Sequence, residues 1–289
     1  MTRRARQIVA GVVALMLAAC ATAQPGGPGL DRFAMLEPGI LSGTPAGSGP
    51  FPVVILLHGC GGRSAEGPLN RENAYREALV ANGFAWLSVR SFPLEGRPFT
   101  SACGRPPGTI DTDERVEDLA AVIQHLSRYP PLDGQRIGVL GFSMGASTAI
   151  KAAMRLDPAR APGLRSAVAL YGGCRDMQAG DGLPGRRRLL MMVGLQDTWT
   201  LAAPCIALAN ALKEGGHAAD VVVHPEATHQ WDNPASTGGR QISMGPGRGT
   251  TFVRYDPDTA RDSVTRAVAH LSHAVKGTLA LIDTVAQPR

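Results

Sequence analysis

The segment of this chain best suited to chemistry is Gly141–Phe142–Ser143–Met144–Gly145, a G-x-S-x-G pentapeptide. It follows the strand-like run Arg136–Phe142 and opens the helix-like stretch Met144–Leu156. A serine at such a sharp strand-to-helix turn has its hydroxyl lifted above the sheet, and the glycines let neighbouring segments approach the turn closely. A serine hydroxyl becomes a nucleophile only beside a base, and the base needs an orienting acid. On this kind of turn the chain order is Ser, then Asp or Glu, then His. Of the seven histidines, His58 comes too early. His125, His270 and His273 fall in helical stretches, His217 precedes a strand, and His224 ends one. His229, in HPEATHQWD after the last strand-like run, stands where the base belongs. Asp176, Asp181 and Asp197 all lie between Ser143 and His229. Asp197, in GLQD directly after the apolar run LLMMV, is the expected acid, because the other two sit in a loop one strand earlier. These three residues would perform acyl transfer. His229 would take the Ser143 proton, and Asp197 would hold the imidazole tautomer and stabilise the imidazolium.

Acyl transfer also needs two N–H donors for the oxyanion. Met144, directly after the serine, is one. The other is expected from His58–Gly59–Cys60–Gly61–Gly62, with Cys60 the leading donor and Gly61 an alternative. Trp199, Trp231, Phe92 and Arg90 are candidates for the pocket wall. The long Gly-rich segment 235–251 is expected as a mouth loop or an insertion.

The elements that would position these residues alternate. Strands are expected at 52–59, 84–92, 136–142, 166–171, 189–193 and 220–224, and helices at 70–82, 112–129, 144–156, 202–213 and 258–275, the last capped by Asp256 or Asp258. Such alternation predicts an α/β fold with a mostly parallel central sheet and helices on both faces. Its chemistry belongs in the loops at the carboxyl ends of the strands.

The chain has 289 residues, 44% of them hydrophobic and 18% charged, long enough to build a core without metal or disulfides. Its formal charge is +5, but Arg3, Arg4 and Arg6 precede the apolar run Ile8–Ala19, which reads as a cleaved leader; without them the charge is +2. Neither that charge nor any basic stripe points to nucleic acid, and the Arg186–Arg187–Arg188 cluster reads as a solvated turn. The leader ends Leu17–Ala18–Ala19–Cys20, which resembles a bacterial lipoprotein box with Cys20 as the acylated residue. The organisation expected is a lipoprotein signal peptide over 1–19, a tether over 20–30, one domain over 31–276 and a tail over 277–289. Export to the bacterial envelope follows, with a lipid anchor in the outer membrane facing the periplasm. The absence of Cys-x-x-Cys or paired-His spacing argues against a metal site. Export puts Cys60, Cys103, Cys174 and Cys205 in an oxidising compartment, where four cysteines allow three pairings.

With LLHGCGG, GFSMGAS, GLQDTWTLAAPC, HPEATHQWD and YDPDTARDS in place, residues 52–271 resemble the dienelactone hydrolase branch of the α/β-hydrolase superfamily. The resemblance implies hydrolysis of small carboxylic esters or lactones without a cofactor, the small-molecule ester or lactone being the partner in solution. The founding enzymes carry a Cys nucleophile where this chain has Ser143, as its esterase-like relatives do. A peptidase or amidase on the same fold is the alternative activity, and a non-catalytic envelope lipoprotein the alternative class. In this frame Cys60 and Cys103 fall in adjacent loops at the carboxyl side of the sheet, and Cys174 and Cys205 flank the loops around Asp197. The pairings Cys60–Cys103 and Cys174–Cys205 are therefore expected.

Overall fold

The computed structural model describes residues 28–277. The leader, Cys20 and the tail beyond Gly277 lie outside the described residues. Seven strands form one sheet in the order β1 (Ile40–Gly43), β3 (Ala85–Val89), β2 (Phe51–Leu57), β4 (Leu132–Phe142), β5 (Leu164–Leu170), β6 (Arg188–Gly194), β7 (Ala218–His224). All neighbours pair parallel except β1, which runs antiparallel along the β3 edge.

The continuous apolar run of β2 is explained by burial on both faces, as a central parallel strand requires. Its side chains alternate between two cores. Val53, Ile55 and Leu57 pack with α1 (Pro28–Leu36), α3 (Thr112–Gln124), α4 (Met144–Arg155) and α5 (Ala202–Glu214). Val54 and Leu56 face the other way, toward α2 (Glu72–Ala81) and α6 (Pro257–Leu271). Helices therefore cover both faces, and the strand ends are left to the loops.

The helix starts are chemically marked. Asp111 caps α3 in a reciprocal box with Glu114, and Asp256, not Asp258, caps α6 ahead of Pro257. The helical period expected to run through Tyr129 stops at Gln124. Residues 126–128 form a 3-10 turn, because Pro131 and Pro130 oppose helical backbone before them. The pattern marks neither α1 nor the edge strand β1. Helix α1 starts at Pro28, so the stretch expected as tether is helical over its last residues. The segment 235–251 is not featureless either. It carries a two-stranded antiparallel hairpin, β8 (Arg240–Ser243) and β9 (Thr250–Val253). Among the described residues, no helix is long and apolar enough to cross a membrane.

Candidate active site

Ser143 stands between β4 and α4 with φ 53° and ψ −115°, a backbone conformation rare for a side-chain-bearing residue. Two hydrogen bonds hold it there: its N–H donates to Leu170 O (3.0 Å), and Ser147 N–H donates to its carbonyl (3.0 Å). The two glycines of the pentapeptide are required by proximity. A Cβ on Gly141 would collide with the Gly145 backbone, and one on Gly145 with Leu57 O at the end of β2. The helix thus starts against the strand end, with the serine hydroxyl at the carboxyl edge of the sheet.

Residues far apart in the sequence meet at that hydroxyl. His229 Nε2 lies 2.9 Å from Ser143 Oγ, and His229 Nδ1 lies 2.7 Å from Asp197 Oδ2. Both imidazole and carboxylate are buried, whereas Ser143 is 6% exposed. Asp197 is an acceptor with four donors. Trp199 N–H (2.8 Å) and Thr200 N–H (2.9 Å) reach Oδ1, while the Thr200 hydroxyl (2.6 Å) and His229 reach Oδ2. Because the carboxylate can only accept, Nδ1 carries the proton and Nε2 offers its lone pair to the Ser143 hydroxyl. Burial alone would raise the Asp197 carboxyl. The facing His229, its hydrogen bond and those from Thr200 outweigh that and hold it below the ordinary aspartate value. The loops carrying acid and base are also packed together, since Gln196 N–H donates to Ala227 O (3.1 Å) and a Cβ on Gly194 would meet that carbonyl.

A cavity of about 980 Å³ opens over Ser143, and Met144, Cys60 and Trp199 line it. Among the described residues, Cys60 N–H has no hydrogen-bond partner. Met144 is the first residue of α4, where backbone N–H groups lack intrahelical acceptors. The mouth carries charges of both signs with a cationic excess, since Asp111, Asp113 and Asp176 line it as well. Arg105, Arg175 and Arg248 line it, and among the described residues none has an ion-pair partner; Lys151, deeper along α4, pairs with Asp113 at 2.7 Å.

The four expected wall residues separate. Trp199 lies at the site, its ring 4.8 Å from that of His229. Trp231 does not. It is fully buried, donates from Nε1 to Ser263 Oγ (2.9 Å) and packs edge-on to Tyr171 at 4.8 Å. The cause is Gln230, whose φ of 59° turns the chain inward directly after His229. Phe92 and Arg90 are also misplaced by the sequence expectation, since they line a separate cavity of about 340 Å³ beside Gly61–Glu66. Phe92 is fully buried there in a small cluster with Ala102 and Ile110.

Pattern reading missed Thr200, although its position three residues after Asp197 is the spacing at which a hydroxyl and an amide fold back onto an aspartate. It also missed Tyr171, whose ring packs edge-on at 5.0 Å against His229. The Tyr171 and Tyr75 hydroxyls donate to Asp232 (2.7 and 2.9 Å) in the floor beneath the site. Burial keeps the Asp232 carboxyl above its ordinary value, despite Arg71 nearby.

The cysteines pair as Cys60–Cys103 and Cys174–Cys205. The first ties the His58–Gly62 loop to the loop carrying Arg105, and the second ties the loop carrying Arg175 to the start of α5.

This sheet order, with a nucleophile-type turn at the end of a central strand and helices on both faces, defines the α/β-hydrolase fold. The family model for the dienelactone hydrolase family matches residues 40–275, and the chain belongs to that family. It is 32% identical over 127 residues to the mouse peroxisomal succinyl-coenzyme A thioesterase, covering 43% of this chain and 26% of that protein. The chain thus spans about a quarter of the length of the curated relatives it matches. In structure it is similar to a dienelactone hydrolase-like promiscuous phosphotriesterase from metagenomic libraries, with TM-score 0.61 and 19% identity over 82% of this chain and 99% of that one. The dienelactone hydrolase of Anabaena variabilis superposes with TM-score 0.57 and 19% identity over 82% and 91% of the two chains. The curated proteins it matches include thioesterases, an esterase and a polyketide transferase.

The disulfides close loops with sequence separations of 43 and 31. Replacing either pair by alanines is expected to lower unfolding free energy by about 2–4 kcal/mol, with the larger loss for the longer loop. Urea unfolding midpoints at unchanged slope measure this; an unchanged midpoint in both double variants would contradict it.

Proposed function

We propose that the protein is a serine hydrolase of small carboxylic esters or lactones that works through an acyl-enzyme. One observation carries the reading: the continuous hydrogen-bonded line from Asp197 through His229 to Ser143 Oγ. In the proposed reaction His229 Nε2 takes the hydroxyl proton as Ser143 Oγ attacks the ester carbonyl carbon. The resulting oxyanion is held by the N–H groups of Met144 and Cys60. Collapse breaks the C–O bond, and the leaving alkoxide takes its proton from His229. Water, deprotonated by His229, then attacks the acyl-enzyme, which frees the acid and restores the serine. Asp197 keeps the base in its productive tautomer and offsets the imidazolium charge.

Arg105, Arg175 and Arg248, which have no ion-pair partner among the described residues, support a finer statement, because cations outnumber acids in the cavity lining. The preferred esters carry a negative group on the part that projects outward. Exposed charge pairs are individually weak, so this is a bias on KM and not a requirement.

We also propose that the chain is exported and anchored in the bacterial outer membrane, facing the periplasm, by acylation of Cys20. The apolar run ending LAAC supports this. So do the two disulfides, which form and persist in oxidising compartments.

Ser143→Ala is expected to lower p-nitrophenyl ester turnover by more than roughly 10⁴-fold and to abolish fluorophosphonate labelling. Retained turnover would remove Ser143 as nucleophile. An anionic p-nitrophenyl ester should show a lower KM than its neutral isostere. Arg175→Gln or Arg248→Gln should raise that KM by roughly twofold to fivefold. In 1 M salt, where the Debye length is about 3 Å, the difference between the two esters should vanish. Equal KM values at low salt would reject the charge preference. For the anchor, palmitate incorporation into the full chain should disappear in Cys20→Ser, and labelling that persists in that variant would reject Cys20 as the acylated residue.

A further inference from the structure

The loop that supplies the Cys60 donor holds a histidine that the reaction does not use. His58 is 3% exposed, and both of its ring nitrogens are committed to the backbone. Nδ1 lies 2.7 Å from Gly59 O, which only accepts, so Nδ1 carries the proton. Nε2 lies 3.0 Å from Ser91 N–H, which only donates, so Nε2 offers its lone pair. One neutral tautomer satisfies both partners. Burial, with the Arg115 charge behind it, pushes the ring well below the ordinary histidine value and keeps it neutral. Arg115, itself buried, donates to His58 O (2.8 Å) and to Ser91 Oγ (3.2 Å), so the end of β2 and the turn after β3 are held as one piece.

Gly59 O shares a peptide unit with Cys60 N–H. That peptide is trans, so its carbonyl and its N–H point to opposite sides of one plane. The carbonyl faces into the loop, where it also accepts from Gly62 N–H (3.2 Å). Among the described residues the Cys60 N–H on the opposite edge has no partner, and Cys60 lines the cavity over Ser143. Gly59 lies against the serine: a Cβ there would stand 3.3 Å from Ser143 Cβ.

We infer that His58 is a positioning residue for the oxyanion hole. By donating to Gly59 O it fixes the plane of the 59–60 peptide and withdraws electron density from it, which makes Cys60 N–H a stronger and better-aimed donor to the developing oxyanion. The inference rests on the Ser143 hydrolase reading. Linked hydrogen bonds strengthen one another by roughly 10–30% per bond. Losing an entire oxyanion donor costs roughly 10²–10³ in kcat, so losing its orientation and polarisation is expected to cost about tenfold to thirtyfold.

Three substitutions separate this from a structural role. His58→Gln places an amide oxygen near the Nε2 position, keeps the Ser91 acceptor and leaves nothing to donate to Gly59 O. His58→Asn places an amide nitrogen near the Nδ1 position and restores that donor. His58→Leu removes both contacts. In steady-state assays of p-nitrophenyl acetate, His58→Gln and His58→Leu should lose about tenfold to thirtyfold in kcat at constant KM. Their affinity for phenylboronic acid, which forms a tetrahedral adduct on the serine, should weaken by the same factor. His58→Asn should recover kcat to within about threefold of the parent, whatever its melting temperature. Two results would overturn the inference: His58→Gln with parental kcat, or losses in all three variants that track melting temperature and not the capacity to donate to Gly59 O. A parent protein that neither turns over esters nor labels at Ser143 would instead bring down the hydrolase reading, and this inference with it.

Discussion

The backbone of Ser143 is the constraint on which the rest of the site depends. A side-chain-bearing residue at positive φ, away from the favoured wells, costs of order 1–3 kcal/mol and persists only where its surroundings over-determine it. Here the surroundings are specific. The carbonyl of Leu170 on β5 takes the serine N–H, the first turn of α4 takes its carbonyl, and Gly145 sits against the end of β2. Three elements thus converge on one residue, and α4 could not start so close to the ends of β4 and β2 if residue 141 or 145 carried a Cβ. The strain sets where the hydroxyl stands, and therefore where a base, an acid and two amide donors must come from.

Two buried carboxyls lie near His229, and their environments push them in opposite directions. Asp197 is surrounded by donors: two amides, a hydroxyl and the imidazole, which together hold it ionised. Asp232, only three residues after His229 in the chain, receives two tyrosine hydroxyls and is raised by burial. A carboxylate that must stabilise a transient imidazolium needs to be charged and in contact with it, and Asp197 meets both conditions. Asp232 has a different task. It joins Tyr75 on α2 to Tyr171 beyond β5, and the Tyr171 ring supports one face of His229. Opposed environments separate the roles more firmly than distance along the sequence does.

What could be read in advance follows from whether the signal is local. The elbow, the strand–helix alternation and the order of Ser143, Asp197 and His229 are local patterns with fixed spacing, and the parallel sheet carries each to a strand's carboxyl end. Trp231 neighbours His229 in the chain, which is what makes it a candidate wall residue from sequence. A positive φ at Gln230 reverses the side-chain direction, and nothing in residue type announces that. Phe92 and Arg90 belong to a loop whose path is set by tertiary packing against Gly61–Glu66. The β8–β9 hairpin hides in a stretch rich in glycine, without the apolar alternation that marks a half-buried strand. Helix α1 hides beside a Pro/Gly-rich stretch, although Phe33 and Leu36 are fully buried in the core. His58 lies too early in the chain to be the base, and its residue type alone points to no other role. Its neighbours in space, Ser91 and Arg115, come from parts of the chain that no spacing rule connects.

The loops around the site are irregular, as the proposed chemistry requires. A peptide whose N–H faces a substrate cannot spend that N–H on a strand or a helix. Such segments gain little from secondary structure and are the first to loosen. The protein answers with covalent and steric ties. Cys60–Cys103 closes the oxyanion-side loop, and Ala102 N–H donates to Cys60 O (2.8 Å) across the same junction. The turn between β8 and β9 then packs Gly245 directly on Cys103 and Gly104, so that Arg105 and Arg248 are carried by two loops in backbone contact. Cys174–Cys205 does the same for the loop bearing Arg175. The donors that would meet a developing oxyanion and the cations at the mouth are thereby held before any ligand arrives. Stabilisation of charge in a transition state is effective only when the stabilising dipoles do not have to reorganise at that moment.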